Sequence, residues 1–314
     1  SCHHSEHIES MDPLASSVCA RSALPPLGER WCKAEAHRKA RRCVHQLSFP
    51  LLPCLYVAVA GLNSMVHALT PLNDDNIHSA ADLWLTDEST ARQEYGPIQD
   101  WDVSYVTAMP YLFNGTDINA DLSRWNVGRV TDFTGTFEDT TEFNADLKSW
   151  DVSSAETMRE MFAFAAAFDS DLGGWNVGKC QDFGNMFMDA VSFKGVGVER
   201  WDVSSAVNMN GMFESAIQFD NPDLSSWNTS NVVDMSYMFY EAINFVGDVS
   251  KFDTSNVESM QGLFAGHPSF NGDLSGWNLS NVEDTSFMFS GASRFKGDIG
   301  AWDTSSVVDM GSMF

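Results

Sequence analysis

The residues of this 314-residue chain with the clearest capacity for chemistry are carboxylates arranged in lines. Asp121, Asp146, Asp171, Asp223, Asp248, Asp273 and Asp298 recur at one fixed offset, and Asp132, Asp182, Asp234, Asp284 and Asp309 at another. A third line alternates strictly: Asp102, Asn126, Asp151, Asn176, Asp202, Asn228, Asp253, Asn278, Asp303. Stacked carboxylates with serine and main-chain oxygens nearby are the surroundings calcium takes. The competing use of the same side chains is to cap turns and helix starts. The GGxGxD repeat of calcium-binding β-rolls is absent, so no cofactor is expected and calcium stays an option.

Acid and base catalysis needs two carboxylates that differ in surroundings, and a column of identical ones singles out neither. From residue 101 onward there is one histidine, His267, and no H-E-x-x-H, G-x-S-x-G or P-loop pattern, so no catalysis is expected. At the start of the chain "CHHSEH" gathers His3, His4 and His7 near Cys2, but a zinc site needs a second ligand cluster at defined spacing.

What positions the aspartates is a repeat. Trp101, Trp125, Trp150, Trp175, Trp201, Trp227, Phe252, Trp277 and Trp302 occupy one slot at intervals of 24 to 26 residues. The twelfth residue after each is phenylalanine without exception, from Phe113 to Phe314. Length varies in the other half of the unit, mostly after a second phenylalanine column (Phe143 to Phe295), as in "KGVGVER". A fixed period of this size is the signature of a solenoid. An aliphatic three before the tryptophan and Val, Leu or Thr two after it predict a short strand with one buried face. The spacing of Ala155, Met158, Met161, Phe162 and Ala165 then turns helical, which predicts one or two helical turns. A unit of strand, turn, short helix and loop cannot bury its own apolar face, and stacking buries it.

The pattern L-x-x-W-[DN]-V-S-x-V-x-x-M-x-x-M-F-x-x-A-x-x-F-N resembles the repeat of the BspA-like leucine-rich-repeat surface proteins (the DUF285 repeat). It covers residues 101–314, about two thirds of the chain. The resemblance implies an α/β repeat fold, a leucine-rich-repeat-like right-handed solenoid of short parallel strands and short helical turns, and a surface-exposed adhesion or interaction role with no catalytic residues to carry over. Departures are Phe252 in the tryptophan slot, Thr136, Leu263 and Thr285 in methionine slots, and His267 in an alanine slot.

Domain boundaries follow. Residues 1–48 form a basic leader expected to be disordered. Residues 49–68 open with the apolar run "FPLLPCLYVAVAGL", short for a membrane span and suited to a signal peptide, cleaved after Val66-x-Ala68, or to an uncleaved signal anchor. Residues 69–98 form an N-terminal capping region in which Ile77, Ala80, Ala81 and Trp84 follow helical spacing after an Asp/Asn cluster. Residues 99–314 hold eight full repeats and a partial ninth. The start at Ser1 and the stop in mid-unit suggest a fragment, so a C-terminal anchor could follow. Five of six cysteines precede the repeats, leaving Cys180 alone among them, so disulfides are not expected to stabilise the array.

Charge narrows the partners. Residues 1–68 carry seven Lys/Arg against five Asp/Glu, which leaves 11 against 38, a net −27, for residues 69–314. Such a surface excludes nucleic acid and repels anionic membranes, so contact with a membrane is expected only through the apolar N-terminal segment or an anchor. The expectation is a secreted or cell-surface module that binds an extracellular protein or glycan. Its ligand-contact candidates are the few basic groups beside the tryptophan slot, Arg124, Arg200 and Lys251, with the aspartates Asp151, Asp202 and Asp253. The competing class is a structural coat or spacer protein, and a third is the non-catalytic repeat region of a larger surface enzyme.

Overall fold

A computed structural model describes residues 69–220 and 223–314. The basic leader, the apolar run of 49–68, the His/Cys cluster and the first five cysteines lie outside the described residues.

Each repeat is tied to the next by one parallel bridge at the seventh residue after the tryptophan slot. The series runs Ala108 to Asp132, Asp132 to Thr157, Thr157 to Asp182 and on to Asp284 with Asp309. Beyond each bridge every second amide reaches the following unit: Met109, Tyr111, Phe113 and Gly115 donate to the carbonyls of Asp132, Thr134, Thr136 and Glu138 at 2.9, 2.7, 2.9 and 2.8 Å. The amides between them turn back on their own unit, as in Leu112 to Met109 and Asn114 to Tyr111, both 3.3 Å.

This pattern replaces the helix expected over the methionine and phenylalanine positions. An α-helix bonds each amide to the carbonyl four residues back, whereas here the neighbouring unit takes every second one. The backbone meets that demand by overlapping turns whose tenth and fourteenth residues are left-handed: Tyr111, Glu160, Asn185 and Tyr237 have φ of 56°, 57°, 56° and 58°, and Asp139 and Glu241 57° and 52°. Each turn advances three residues, so its apolar positions mimic helical spacing. Gly135, at φ 57°, fits this conformation without strain, and a Cβ there would stand 2.3 Å from the Tyr111 ring that lies across it.

The strand expected around the tryptophan slot is also absent; no extended strand is found among the described residues. That stretch is two tight turns, with Trp125 N–H donating to Leu122 O at 3.0 Å and Val130 N–H to Val127 O at 2.9 Å. The cause is in the sequence. Asp121 and Asn126 each accept from the amide two residues on, at 3.0 and 3.3 Å, and such bonds fold the chain locally instead of leaving it extended.

The interior is built of ring ladders. Along the invariant phenylalanine column, Phe137, Phe162, Phe187 and Phe213 stack at 5.6, 5.7 and 5.7 Å between centroids, within 8° of parallel. Within a unit the two phenylalanines lie closer, 3.9 Å for Phe162 with Phe168. Trp125 and Trp150 stack at 6.4 Å and 3°. Offset aromatic pairs of this kind add roughly 0.5–1.5 kcal/mol beyond the area they bury. The tryptophan does a second task that leucine could not. Its indole N–H donates to the aliphatic carbonyl of the preceding unit, as in Trp150 to Leu122 at 2.9 Å, Trp201 to Leu172 at 3.2 Å and Trp277 to Val249 at 3.1 Å. Phe252 keeps the stack on Trp227, at 6.3 Å and 4°, without that bond.

The polar departures in the interior reach main-chain carbonyls, although the buried Nδ1 of His267 has no hydrogen-bond partner among the described residues. The Thr136 hydroxyl donates to the carbonyls of Phe133 and Met109 at 2.8 and 3.0 Å. Thr229 and Thr254, in the slot otherwise held mostly by valine, donate to the next unit's carbonyls at Asp253 and Asn278, 3.0 and 2.9 Å away. His267 bonds Phe245 O through Nε2 at 2.7 Å, and burial pushes its imidazole below the ordinary range.

Ahead of the first unit stand two helices, α1 (Ile77–Thr86) and α2 (Glu88–Glu94). Helix α1 buries Ile77, Ala80 and Ala81 and sets Trp84 edge-on to Trp101 at 5.9 Å and 87°. The Asp/Asn cluster before it acts differently from a helix cap. The side chain of Asn76 makes no cap bond to α1, while Asp74 accepts from the amides of Thr107 and Ala108, at 2.6 and 3.3 Å, and from the Thr107 hydroxyl at 2.6 Å. The orphan amides of the first unit are thus taken by a carboxylate. Burial opposes ionisation there, but these bonds, with Arg129 nearby, keep the Asp74 carboxyl below its usual range.

Candidate functional site

The residues on either side of the tryptophan slot stand outside the array. Asp102, Asp151, Asp202, Asp253 and Asp303 are all exposed, as are Asn126, Asn176, Asn228 and Asn278 between them. Each aspartate is engaged locally: Asp151, Asp202 and Asp253 accept from the amides of Ser153, Ser204 and Ser255 at 3.1, 3.0 and 3.0 Å. The hydroxyl and then the amide of that serine hold each carboxyl below the usual carboxylate range, so all three are ionised at neutral pH. The other two acidic lines do the same, as Asp171 with Gly173 and Asp234 with Ser236, both at 2.8 Å, show. All three lines therefore cap turns, and no group of three or more metal-ligating side chains occurs among the described residues.

The basic candidates share one column and approach acids other than Asp151, Asp202 and Asp253. Arg124 bonds Asp100 at 2.8 Å, and Arg200 lies 3.3 Å from Glu199. Arg200 also leans toward Asp171, whose carboxyl is held low by the Lys148 ammonium and the Gly173 amide, with the charges of Lys148 and Arg200 assisting. Lys251 assists in the same way at Asp273, after the amide and hydroxyl of Ser275. The structure does not join Arg124, Arg200 or Lys251 to Asp151, Asp202 or Asp253 by any ion pair among the described residues. It presents them on neighbouring outward columns, basic group before the slot and acid after it. Exposed pairs of this kind contribute about 0–1 kcal/mol to stability, so the face is free to exchange partners at little structural cost.

A second group of polar residues escaped the sequence reading. On the turn run of the first units, Asn114 donates to Glu138 at 2.5 Å and Tyr111 reaches Glu160 at 3.3 Å. Burial, then the charges of Glu160 and Asp139, push the Glu138 carboxyl up to about 7 against the help of Asn114. No signal in the sequence marks it, because the column of Glu138 is variable, with Asn114, Ala163, Met188, Glu214 and Tyr240 among its occupants.

Nine units joined through the same columns define a tandem-repeat protein. The family model described as Mycoplasma protein of unknown function, DUF285, matches it three times, at residues 85–196, 173–252 and 221–314. The chain belongs to this family. No curated protein and no solved structure matches it. No helix among the described residues is long and apolar enough to cross a membrane.

Proposed function

We propose that the chain is a BspA-like leucine-rich-repeat surface protein: a right-handed solenoid, secreted or displayed at the cell surface, that binds an extracellular protein or glycan and performs no catalysis. The observation that carries this reading is the contrast on the outer face. The acidic columns are each engaged by their own turns, while Arg124, Arg200 and Lys251 stand exposed in an acidic field, Arg124 and Arg200 held only by solvent-exposed ion pairs. An acidic ligand group would find its few attractive contacts there, and the flanking ionised aspartates would repel a wrongly placed one. The unit-to-unit bonds and stacked rings support the solenoid, since each unit's apolar face is covered only by its neighbours.

The structural coat or spacer is the second reading, favoured by the pairing of Arg124 and Arg200 within the array itself. Bead-immobilised full chain, presented with extracted surface proteins and glycans with and without calcium, separates the two. A binding module captures a ligand saturably, and the double variant R200E/K251E loses it while melting at an unchanged temperature. Capture unaffected by the charge reversal, or none from well-folded protein, would overturn the reading.

A further inference from the structure

The turn run carries a feature that its core-forming columns do not explain. At the sixteenth residue after the tryptophan slot, five consecutive units place Ala166, Val191, Ile217, Ile243 and Pro268. These are not core residues: Ile217 and Ile243 are 37% and 39% exposed, and Val246, in the unit of Ile243, is 58% exposed. Their main chain is already engaged. Gln218 N–H donates to Val191 O at 3.2 Å, and the side-chain Nδ2–H of Asn244 donates to Ile217 O at 2.8 Å, which ties each of these carbonyls to the following unit. The phenylalanines two residues further on set the row's period, 6.2 Å from Phe193 to Phe219 and 5.5 Å from Phe219 to Phe245. An α-helix rises about 5.4 Å per turn, so its apolar residues at successive turns would meet successive side chains of such a row.

The chemistry of one edge defines what else that helix must carry. Half-buried Asp189 and Glu241 stand beside the row, their carbonyls accepting from the Val191 and Ile243 amides at 2.9 and 2.8 Å, and Tyr237 and Tyr240 form an edge-to-face pair, 5.9 Å apart at 76°. Ring faces next to carboxylates are a favourable seat for ammonium and guanidinium groups. Burial, then the neighbouring carboxylates Glu241 and Glu214, with Tyr237 beside them, push the Tyr240 phenol up to about 12. It stays neutral and keeps its proton for Glu241.

We propose that the Val191–Ile217–Ile243 row, with Val246 and the Tyr237/Tyr240/Glu241 edge, docks an amphipathic α-helix of a partner protein whose apolar ridge is flanked by lysine or arginine. The apolar row alone would suit any hydrophobic surface; the acidic and aromatic edge selects a basic helix. This surface uses columns other than those of Arg200 and Lys251, so it stands whether or not that face binds a ligand.

The test is fluorescence anisotropy of the full chain with a labelled leucine/lysine peptide of about 18 residues, roughly five helical turns, whose leucines follow i, i+3, i+4, i+7. A control peptide of the same composition has its leucines scrambled. The patterned peptide should bind about tenfold more tightly than the control, and I217S/I243S should remove most of that difference through lost apolar contact. V246S should weaken it less, E241Q should reduce its salt dependence, and R200E/K251E should leave it unchanged. Equal binding of the two peptides would overturn the proposal by showing attraction to net charge alone. So would unchanged affinity in I217S/I243S or V246S at an unchanged melting temperature.

Discussion

Two columns of the turn run, only two residues apart, are under opposite constraints. At the twelfth position every unit has phenylalanine, stacked on its neighbours and buried in all but the last, Phe314. At the tenth the occupants are Tyr111, Gly135, Glu160, Asn185, Gly211, Tyr237, Gly262, Phe287 and Ser312, and all of them share a left-handed backbone. The first column is specified by side-chain volume, the second by positive φ and by the fit of a larger side chain over the glycine of the next unit, as Tyr111 lies over Gly135 and Tyr237 over Gly262. The array therefore holds its backbone conformation constant at this column while the residue type varies.

The comparison breaks most visibly at its rigid member. Phe187→Ala removes a ring stacked at 5.7 Å on both sides and is expected to cost roughly 3–5 kcal/mol, while Asn185→Ala should stay within about 1 kcal/mol. Urea melts of the two variants measure the difference. Gly135→Ala tests the left-handed column itself: strain at positive φ costs about 1–2 kcal/mol, and overlap with the Tyr111 ring adds to it. Repeating the substitution in a Tyr111→Ala background should remove the overlap and leave the strain.

The pH dependence sharpens the same contrast, because the turn run buries a carboxyl where the outer face exposes ionised ones. Glu138 is raised from 4.5 to about 7 in the fold, so the folded chain holds more protons than the unfolded chain across that window. Its contribution to stability is fully present below the window and is lost as pH rises through it. Melting temperatures of the parent relative to E138Q should fall between about pH 5 and about pH 8. Asp151→Asn, on the outer face, should show no such trend. The smallest expected effect has the opposite sign: Phe252→Trp restores an indole donor toward the preceding unit and should stabilise by about 1 kcal/mol in a thermal melt.

How much of this was legible in the sequence follows from the same division. The period, the buried columns and the covering helix at Ile77–Thr86 could be read because burial restricts residue type, as Trp150, Phe162 and Ala80 show. The turn chemistry was misread as strand and helix because left-handed turns closing every three residues leave the apolar spacing of a helix, and their own signature is spread over Tyr, Glu, Asn and Gly. The exposed candidates Arg200 and Lys251 could be found by charge, whereas their approach to Asp171 and Asp273 could not, since those contacts depend on how loops of unequal length lie against each other.

The central claim is that the units are held together through the turn run, by amides of left-handed residues that donate to the next unit. The direct measurement is native-state hydrogen exchange resolved at the amides of Asn185, Gly211 and Tyr237, which donate to Asn210, Ser236 and Gln261 at 2.7, 2.8 and 2.7 Å. Their exchange should be slowed to the rate of global opening, like that of Phe187 and Phe213. Exchange at the rate of an unprotected surface turn would contradict the account.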